Sequence, residues 1–323
     1  MGVKVSLILA VRGDDTILRR CITAVNSQTF SDFELILADA SYTGYAQALE
    51  RKLDCYPERV KVVESNPDIS PWHHFRKGVE AASGRYVIFL DPSQWLEDET
   101  VERLVEAMEG YGAELAEMRT VKCINGVAVR TDNPVPSEVT ADSVISGARL
   151  RAMTAYIGRG SYISPSIHDK IYLRELLIDA LAPECGCGSR CNELLNIQYL
   201  RHTRSVVLLS FAGLNYNWQD QQPVYRYSAL ADAKAAYRYK SLCGQDITCI
   251  REELMGRLER HAHGLIVDNG WTREATLHFL RRELADPFWR QSGIEANADE
   301  LVEAVVKRDR WHDLAAVLRR LFR

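Results

Sequence analysis

From Val3 to about Glu117 the hydrophobic positions change period in a regular way. "VSLILAV" reads as a buried strand; after it Ile17, Leu18, Cys21, Ile22 and Val25 recur at helical spacing, behind Asp14 or Asp15 as a cap. "FELILAD" is the next strand, an amphipathic "YAQALERKL" follows, and "RVKVVES" is a third strand. A helix through "FRKGVEAAS" ends at Gly84, "RYVIFLD" is a fourth, fully apolar strand, and "ETVERLVEAMEG" is helical again. Strands and helices alternating over short links predict an α/β fold, with a mainly parallel sheet flanked by helices. Ligands of such sheets bind beyond the carboxyl ends of the strands, and Asp39 and Asp91 stand at two of those ends.

The rest of the chain is less regular. Residues 114–130 read as extended, "TDNPVPSEVTADS" as a polar loop, and "SPSIHDKIYLRELLIDAL" as the approach to a helix. "CGCGSRCNELLNIQYLRHT" reads as a helix after a glycine-rich entry, and "SVVLLSFAGLNYNW" as a strand. From about Ser228 onward the period is helical, which predicts a domain over residues 1–227 and a helical C-terminal extension over 228–323.

Composition acts mainly by exclusion. The 323 residues are 46% hydrophobic and 26% charged, the balance of a protein with a real core, and a net charge of −4 gives no footprint for nucleic acid. The N-terminal apolar run stops at Arg12 without a small-residue cleavage site, so it reads as a strand and not a leader. No stretch approaches the ~18 apolar residues of a membrane span. Eight scattered cysteines fit reduced thiols in a cytoplasm better than a disulfide framework.

Certain segments also carry a resemblance. "VSLILAVRGDDTILRRCITAVNSQTFSDFELILADAS", "NPDIS" and "GVEAASGRYVIFLDPSQWLEDETVERLVEAM" resemble, in order, the opening of the family 2 glycosyltransferases, whose nucleotide-sugar-binding fold is called GT-A. The likeness covers roughly residues 3–110 and resumes weakly in "HDKIYLRELL" and "CNELLNIQYL". It implies that Asp39 recognises the nucleotide, although the usual second acid beside it is Ala40. It also implies that the turn Asp91-Pro92-Ser93 holds Mg²⁺ or Mn²⁺ against the donor diphosphate, with Ser93 in place of a second aspartate. Arg12, Asn66, Arg76 and Lys77 are expected around the diphosphate-sugar, the basic ones as substitutes for an ion. The family's catalytic aspartate lies four residues before an Asn; counting back from Asn196 gives Asn192, and a neutral amide cannot take a proton. Glu193 is the nearest carboxylate, about 100° round the helix.

Each position also has a plainer reading. Asp91 is a turn former, and Glu193 suits a first helical turn. His73 and His74 either touch a diphosphate or metal or belong to a surface turn on Trp72. Cys185, Cys187 and Cys191, with His168 or His202, make either a zinc site or free thiols. The closing helix "DRWHDLAAVLRRLFR" either lies on an anionic membrane, suiting a lipid-linked acceptor, or packs on this domain or a second copy. The leading expectation is an inverting transfer from a nucleotide-sugar donor to a glycan or lipid-linked acceptor, in the cytoplasm or at the inner face of the membrane. Departures at Ala40, Ser93 and Asn192 leave a rival, an inactive fold that binds a nucleotide, glycan or protein partner. A third is an interaction module that oligomerises through residues 228–323.

Overall fold

The computed structural model describes residues 3–11, 15–39, 46, 59–64, 71–124, 127–131, 141–155, 157, 161–181, 191–217, 234, 237, 241, 247–268, 270–294 and 296–307. The chain falls into two compact units, Met1–Pro223 and Val224–Arg323.

The first unit is built on one mixed sheet. Its strands are β1 (Val5–Val11), β2 (Phe33–Asp39), β3 (Val60–Glu64), β4 (Tyr86–Leu90), β5 (Gln94–Leu96), β6 (Leu115–Ile124), β7 (Val127–Thr131), β8 (Ser143–Ser146), β9 (Lys170–Leu173) and β10 (Ser205–Asn217). The order is β3-β2-β1-β4-β9-β6-β10-β5, with β7 against β6 and β8 against β10. The parallel character expected from the strand–helix alternation holds for β3-β2-β1-β4. Beyond β4 the sheet becomes mixed, since β9 is antiparallel to both β4 and β6 while β6 and β10 run parallel. The order is physical: β1, β2 and β4 are largely apolar and buried on both faces, as central strands must be.

Helices α1 (Asp15–Asn26), α2 (Pro71–Ala81), α3 (Thr100–Gly110), α4 (Gly147–Ala155), α5 (Arg174–Leu181) and α6 (Cys191–Leu200) belong to this unit. Helix α3 buries Val101, Leu104, Val105 and Met108, the i, i+3, i+4, i+7 stripe of a half-buried helix. Just after it Gly112, at φ +59°, turns the chain toward β6. Helix α2 begins at Pro71, so "PWHHFRKG" is the first part of a helix and not a surface turn; His74 is buried within it. Proline at a helix start explains the earlier boundary, because its missing N–H would have no partner there.

The second unit has its own apolar core. Leu254, Leu258 and Ala262 on α7 (Ile247–His263) pack with Leu280 of α8 (Arg273–Leu284), with Phe288 and Trp289 of α9 (Pro287–Gln291), and with Val302. Thr272 and Asp286 cap α8 and α9 by accepting backbone N–H bonds from Ala275 and Phe288. The closing helix expected over residues 309–323 lies outside the described residues. Among the described residues no helix is long and apolar enough to cross a membrane.

Candidate functional site

Two acids mark the carboxyl edge of the parallel strands. Asp39 ends β2 and Asp91 follows β4, on either side of β1. Two inter-strand spacings put them about 10 Å apart along the sheet edge. Asp39 is buried, and its Oδ2 accepts the Ala46 N–H at 3.0 Å, which ties the chain beyond β2 back to the strand end.

Asp91 is half-buried and shapes its own turn. Its Oδ1 accepts from the Ser93 backbone N–H at 2.8 Å and from the Ser93 hydroxyl, while its carbonyl accepts from Gln94 N–H at 3.0 Å. Ser93 therefore spends its hydroxyl proton on the carboxylate. Among the described residues both side-chain hydrogen bonds fall on Oδ1, so Oδ2 is open.

What lies around the turn fixes its position. Gln28, in the "NSQTF" segment, donates to Ala24 O at 2.9 Å and to Glu97 O at 2.8 Å and accepts from Val101 N–H at 3.0 Å. One amide thus joins the end of α1, the exit of the Asp91 turn and the start of α3. Arg20 lies over the Trp95 ring, 3.4 Å from its centroid. Cys21 is a buried free thiol pushed up to about 12 by burial and by the Asp91 charge. It is no nucleophile at neutral pH.

His168 is also part of the turn's surroundings. The β4–β9 pairing runs Tyr86↔Leu173, Val87↔Tyr172, Ile88↔Ile171, and His168 lies in the turn just before β9. Its ring meets Phe75 edge-on at 6.3 Å. Burial lowers its pKa, and the Asp91 charge is the strongest influence opposing that.

Sequence reasoning missed a buried polar cluster just behind this edge. Lys170 is fully buried; its Nζ donates to Asp169 Oδ1 at 2.7 Å, Ser164 O at 3.0 Å and Ser166 O at 2.7 Å, and pairs with Glu117 Oε2 at 3.2 Å. Glu117 Oε1 accepts the Ser164 N–H at 2.9 Å. Burial pushes the Glu117 carboxyl up; Lys170 opposes and Asp169 adds to the rise. Asn196 of α6 closes the cluster, donating to Pro165 O at 3.0 Å and Ser166 O at 2.8 Å while accepting the Tyr172 hydroxyl at 2.7 Å. The segment Ser164–Ser166 is thus fastened to Glu117, Lys170 and α6. The quoted "HDKIYLRELL" was the available signal, though a lysine in it is not normally expected in a core.

Of the other expected residues, Asn192 and Glu193 are half-buried in the first turn of α6. Asn192 shares a face with Asn196, one turn away, and Glu193 points elsewhere. Arg76 and Lys77 sit mid-helix in α2 and pair with Glu80, at 3.0 and 3.5 Å. Arg12, Asn66, Ala40, Cys185 and Cys187 lie outside the described residues, and of Cys191 only its place at the start of α6 is described. Among the described residues no three His, Cys, Asp or Glu side chains gather as a metal site. A divalent cation in the Asp91 turn is nonetheless compatible with the open Oδ2, as one protein carboxylate serves when phosphates and water complete the shell.

Known proteins resemble this chain in sequence and in fold. Residues 6–170 match the family described as "Glycosyl transferase family 2". Among curated proteins the chain is 25% identical over 114 residues to "Glycosyltransferase GlyA" of Streptococcus pneumoniae serotype 4, covering 35% of this chain and 16% of that protein. It is 27% identical over 110 residues to "GalNAc(5)-diNAcBac-PP-undecaprenol beta-1,3-glucosyltransferase" of Campylobacter jejuni, covering 33% and 36%. The chain therefore matches only a third or so of these relatives' length, or less. Among solved structures, S. aureus TarS 1-349 in complex with UDP-GlcNAc superposes with a TM-score of 0.62 at 17% identity, over 93% of this chain and 84% of that one. That likeness is one of fold. The match from residue 6 to residue 170 takes in just over half of the sequence, and the chain belongs to glycosyl transferase family 2.

Proposed function

We propose that the protein transfers a sugar from a nucleoside-diphosphate donor to an acceptor hydroxyl, binding the donor along the carboxyl edge of β2, β1 and β4. One observation carries this reading: within a family 2 fold, Asp39 and Asp91 flank β1 at that edge, and among the described residues Asp91 keeps one carboxylate oxygen open. Asp39 contacts the nucleoside. The Asp91–Ser93 turn faces the diphosphate, with Arg12, Asn66, Arg76 and Lys77 as further donor contacts.

A uridine nucleotide is the first donor class to test, because a similar fold was solved with UDP-GlcNAc. A relative named for transfer onto an undecaprenol-linked glycan supports a glycan or lipid-linked acceptor in polysaccharide synthesis. In an inverting transfer the acceptor oxygen attacks the anomeric carbon, the bond to the diphosphate breaks, and its electron pair leaves with the diphosphate. Asn192 can orient the acceptor hydroxyl; the proton goes to a carboxylate, and Glu193 is the one in reach by sequence. Mg²⁺ or Mn²⁺ bound at Asp91 would neutralise charge on the leaving diphosphate.

Calorimetric titration with UDP, GDP and CDP, each with and without Mn²⁺, tests the reading. Binding of one nucleotide, weakened in Asp39→Asn and Asp91→Asn, is the expected result. Binding of none would turn the assignment toward a non-catalytic scaffold.

A further inference from the structure

The Asp91 turn is held unequally on its two sides. β4 leads into it with five buried residues between β1 and β9, whereas β5 leads out of it with three residues that, among the described residues, pair with β10 alone. We propose that Gln28 is the positioning residue that fixes this weaker side, and through it aims the Asp91 carboxylate for binding of the donor diphosphate with its cation. The inference rests on the donor-site reading above and adds to it a residue remote from the ligand.

A continuous run of contacts links the two. Gln28 Nε2 donates to Glu97 O at 2.8 Å, and the Glu97 N–H donates to Gly213 O at 2.9 Å, just beyond the last β5–β10 pair, Leu96↔Leu214. From there the strand runs back through Trp95↔Asn215 and Gln94↔Tyr216, and the Gln94 N–H donates to Asp91 O at 3.0 Å. Ser93, one residue earlier, directs the carboxylate itself, since its N–H and its hydroxyl both donate to Asp91 Oδ1. A shift of β5 therefore turns Asp91 Oδ2, the oxygen that is open among the described residues.

The amide is anchored at its other contacts. Nε2 also donates to Ala24 O at 2.9 Å in the last turn of α1, and Oε1 accepts the Val101 N–H at 3.0 Å in the first turn of α3. The Thr29 N–H donates to Asp98 O at 2.9 Å, and Arg20 of α1 lies over Trp95 of β5, so the strand exit is seated on α1 along its length. Gln28 is only 9% exposed, and a primary amide supplies both the donated and the accepted bonds that this seat uses. Outer groups that orient a cation's ligand typically contribute about 10–100-fold to its affinity.

The test is calorimetry of the tightest-binding of UDP, GDP and CDP, with and without Mn²⁺, on the full-length wild type, Gln28→Met and Glu34→Gln. Glu34→Gln is the control for lost stability, because Glu34 holds Ser6 and Ser83 at the other end of the sheet. Mn²⁺ should tighten nucleotide binding in the wild type. Gln28→Met should lose about tenfold of that gain while keeping its affinity without Mn²⁺, and Glu34→Gln should keep both. An unchanged gain in a folded Gln28→Met overturns the proposal, and so does an equal loss in Glu34→Gln.

Hydrogen exchange of the wild type decides the matter if Gln28→Met fails to fold. The Val101 N–H, bonded to Gln28, should exchange several-fold more slowly with nucleotide and Mn²⁺ than with nucleotide alone, because coupling between two sites is reciprocal. An equal rate overturns the proposal. Nucleotide binding that does not respond to Mn²⁺ overturns it too, and leaves the nucleotide site standing. Failure of the wild type to bind any of the three nucleotides would overturn both.

Discussion

Lys170→Met removes a cation of similar length from a site where nothing can replace it. Nζ holds two carbonyls and Asp169 with bonds of 2.7–3.0 Å and pairs with Glu117 at 3.2 Å, and the two carboxylates are 1–2% exposed. Leaving a buried charge without its partner costs about 3–5 kcal/mol. Against a total stability of about 5–15 kcal/mol that is a large share. For a unit of this size each kcal/mol moves the melting point by roughly 2–4 °C, so the variant should melt about 6–20 °C lower at pH 8. The loss must depend on pH. Burial already raises the Glu117 pKa and Lys170 opposes that rise, so without the lysine the folded variant holds a proton on Glu117 that the unfolded chain does not. Its deficit therefore shrinks as pH falls toward about 5 and grows as pH rises toward the raised folded value. Scanning calorimetry of wild type and variant at pH 5 and pH 8 decides the matter. A gap below about 3 °C at pH 8, or an equal gap at both values, would refute the view that Lys170 neutralises a buried acid pair.

Further outcomes follow from other contacts. Burial alone would raise the Glu34 pKa, but Lys61 Nζ at 2.6 Å, the Ser6 hydroxyl at 2.6 Å and the Ser83 N–H at 2.6 Å hold it down at about 2. A depressed folded pKa stabilises above the unfolded value near 4 and is lost as pH falls toward 2; Glu34→Gln should remove that acid limb and cost about 2 kcal/mol, read from urea unfolding at pH 7 and pH 3. Gly84→Ala drives a methyl to 2.7 Å from the Ser6 backbone nitrogen and 2.8 Å from the Val5 carbonyl carbon, where no flexible side chain can yield. It should destabilise by about 1–3 kcal/mol in urea titration, and a neutral effect would mean that β1 shifts freely.

How much of this was legible varies with the kind of force involved. β1, β2 and β4 were readable because strands buried on both faces are mostly apolar along their length, and Asp39 and Asp91 because a parallel sheet binds ligands at its carboxyl ends. β5 and β9 were not read as strands; with three and four residues they are too short to establish a period, and β9 runs straight into α5. The cluster behind the site was hidden for another reason. Glu117 and Ser164 are 47 positions apart, Asn196 and Pro165 are 31 apart, and single polar residues give no pattern that joins them. Asn196 entered the reading only as a counting mark, while the fold uses it to fasten α6 to the Ser164–Ser166 segment.

The departure at Ser93 can be separated from the fold in the same terms. The turn after β4 needs the Asp91 carboxylate and the backbone N–H groups of residues 93 and 94; the Ser93 side chain adds a single hydroxyl bond at a half-buried position. Position 93 is thus set by chemistry more than by packing, unlike Lys170 or Asn196. Ser93→Asp tests this directly. Losing the hydroxyl bond and setting a second carboxylate beside Asp91 costs about 1 kcal/mol without a cation, or a melting point lower by roughly 2–4 °C. Added Mn²⁺ should reverse the loss, and Mn²⁺ affinity should rise at least tenfold, because the second carboxylate neutralises the ion at close range. A variant that melts far lower and is not rescued by Mn²⁺ would show that serine is required for the turn itself. The lost carboxylate would then be a demand of this fold, and not a change of ligand made within it.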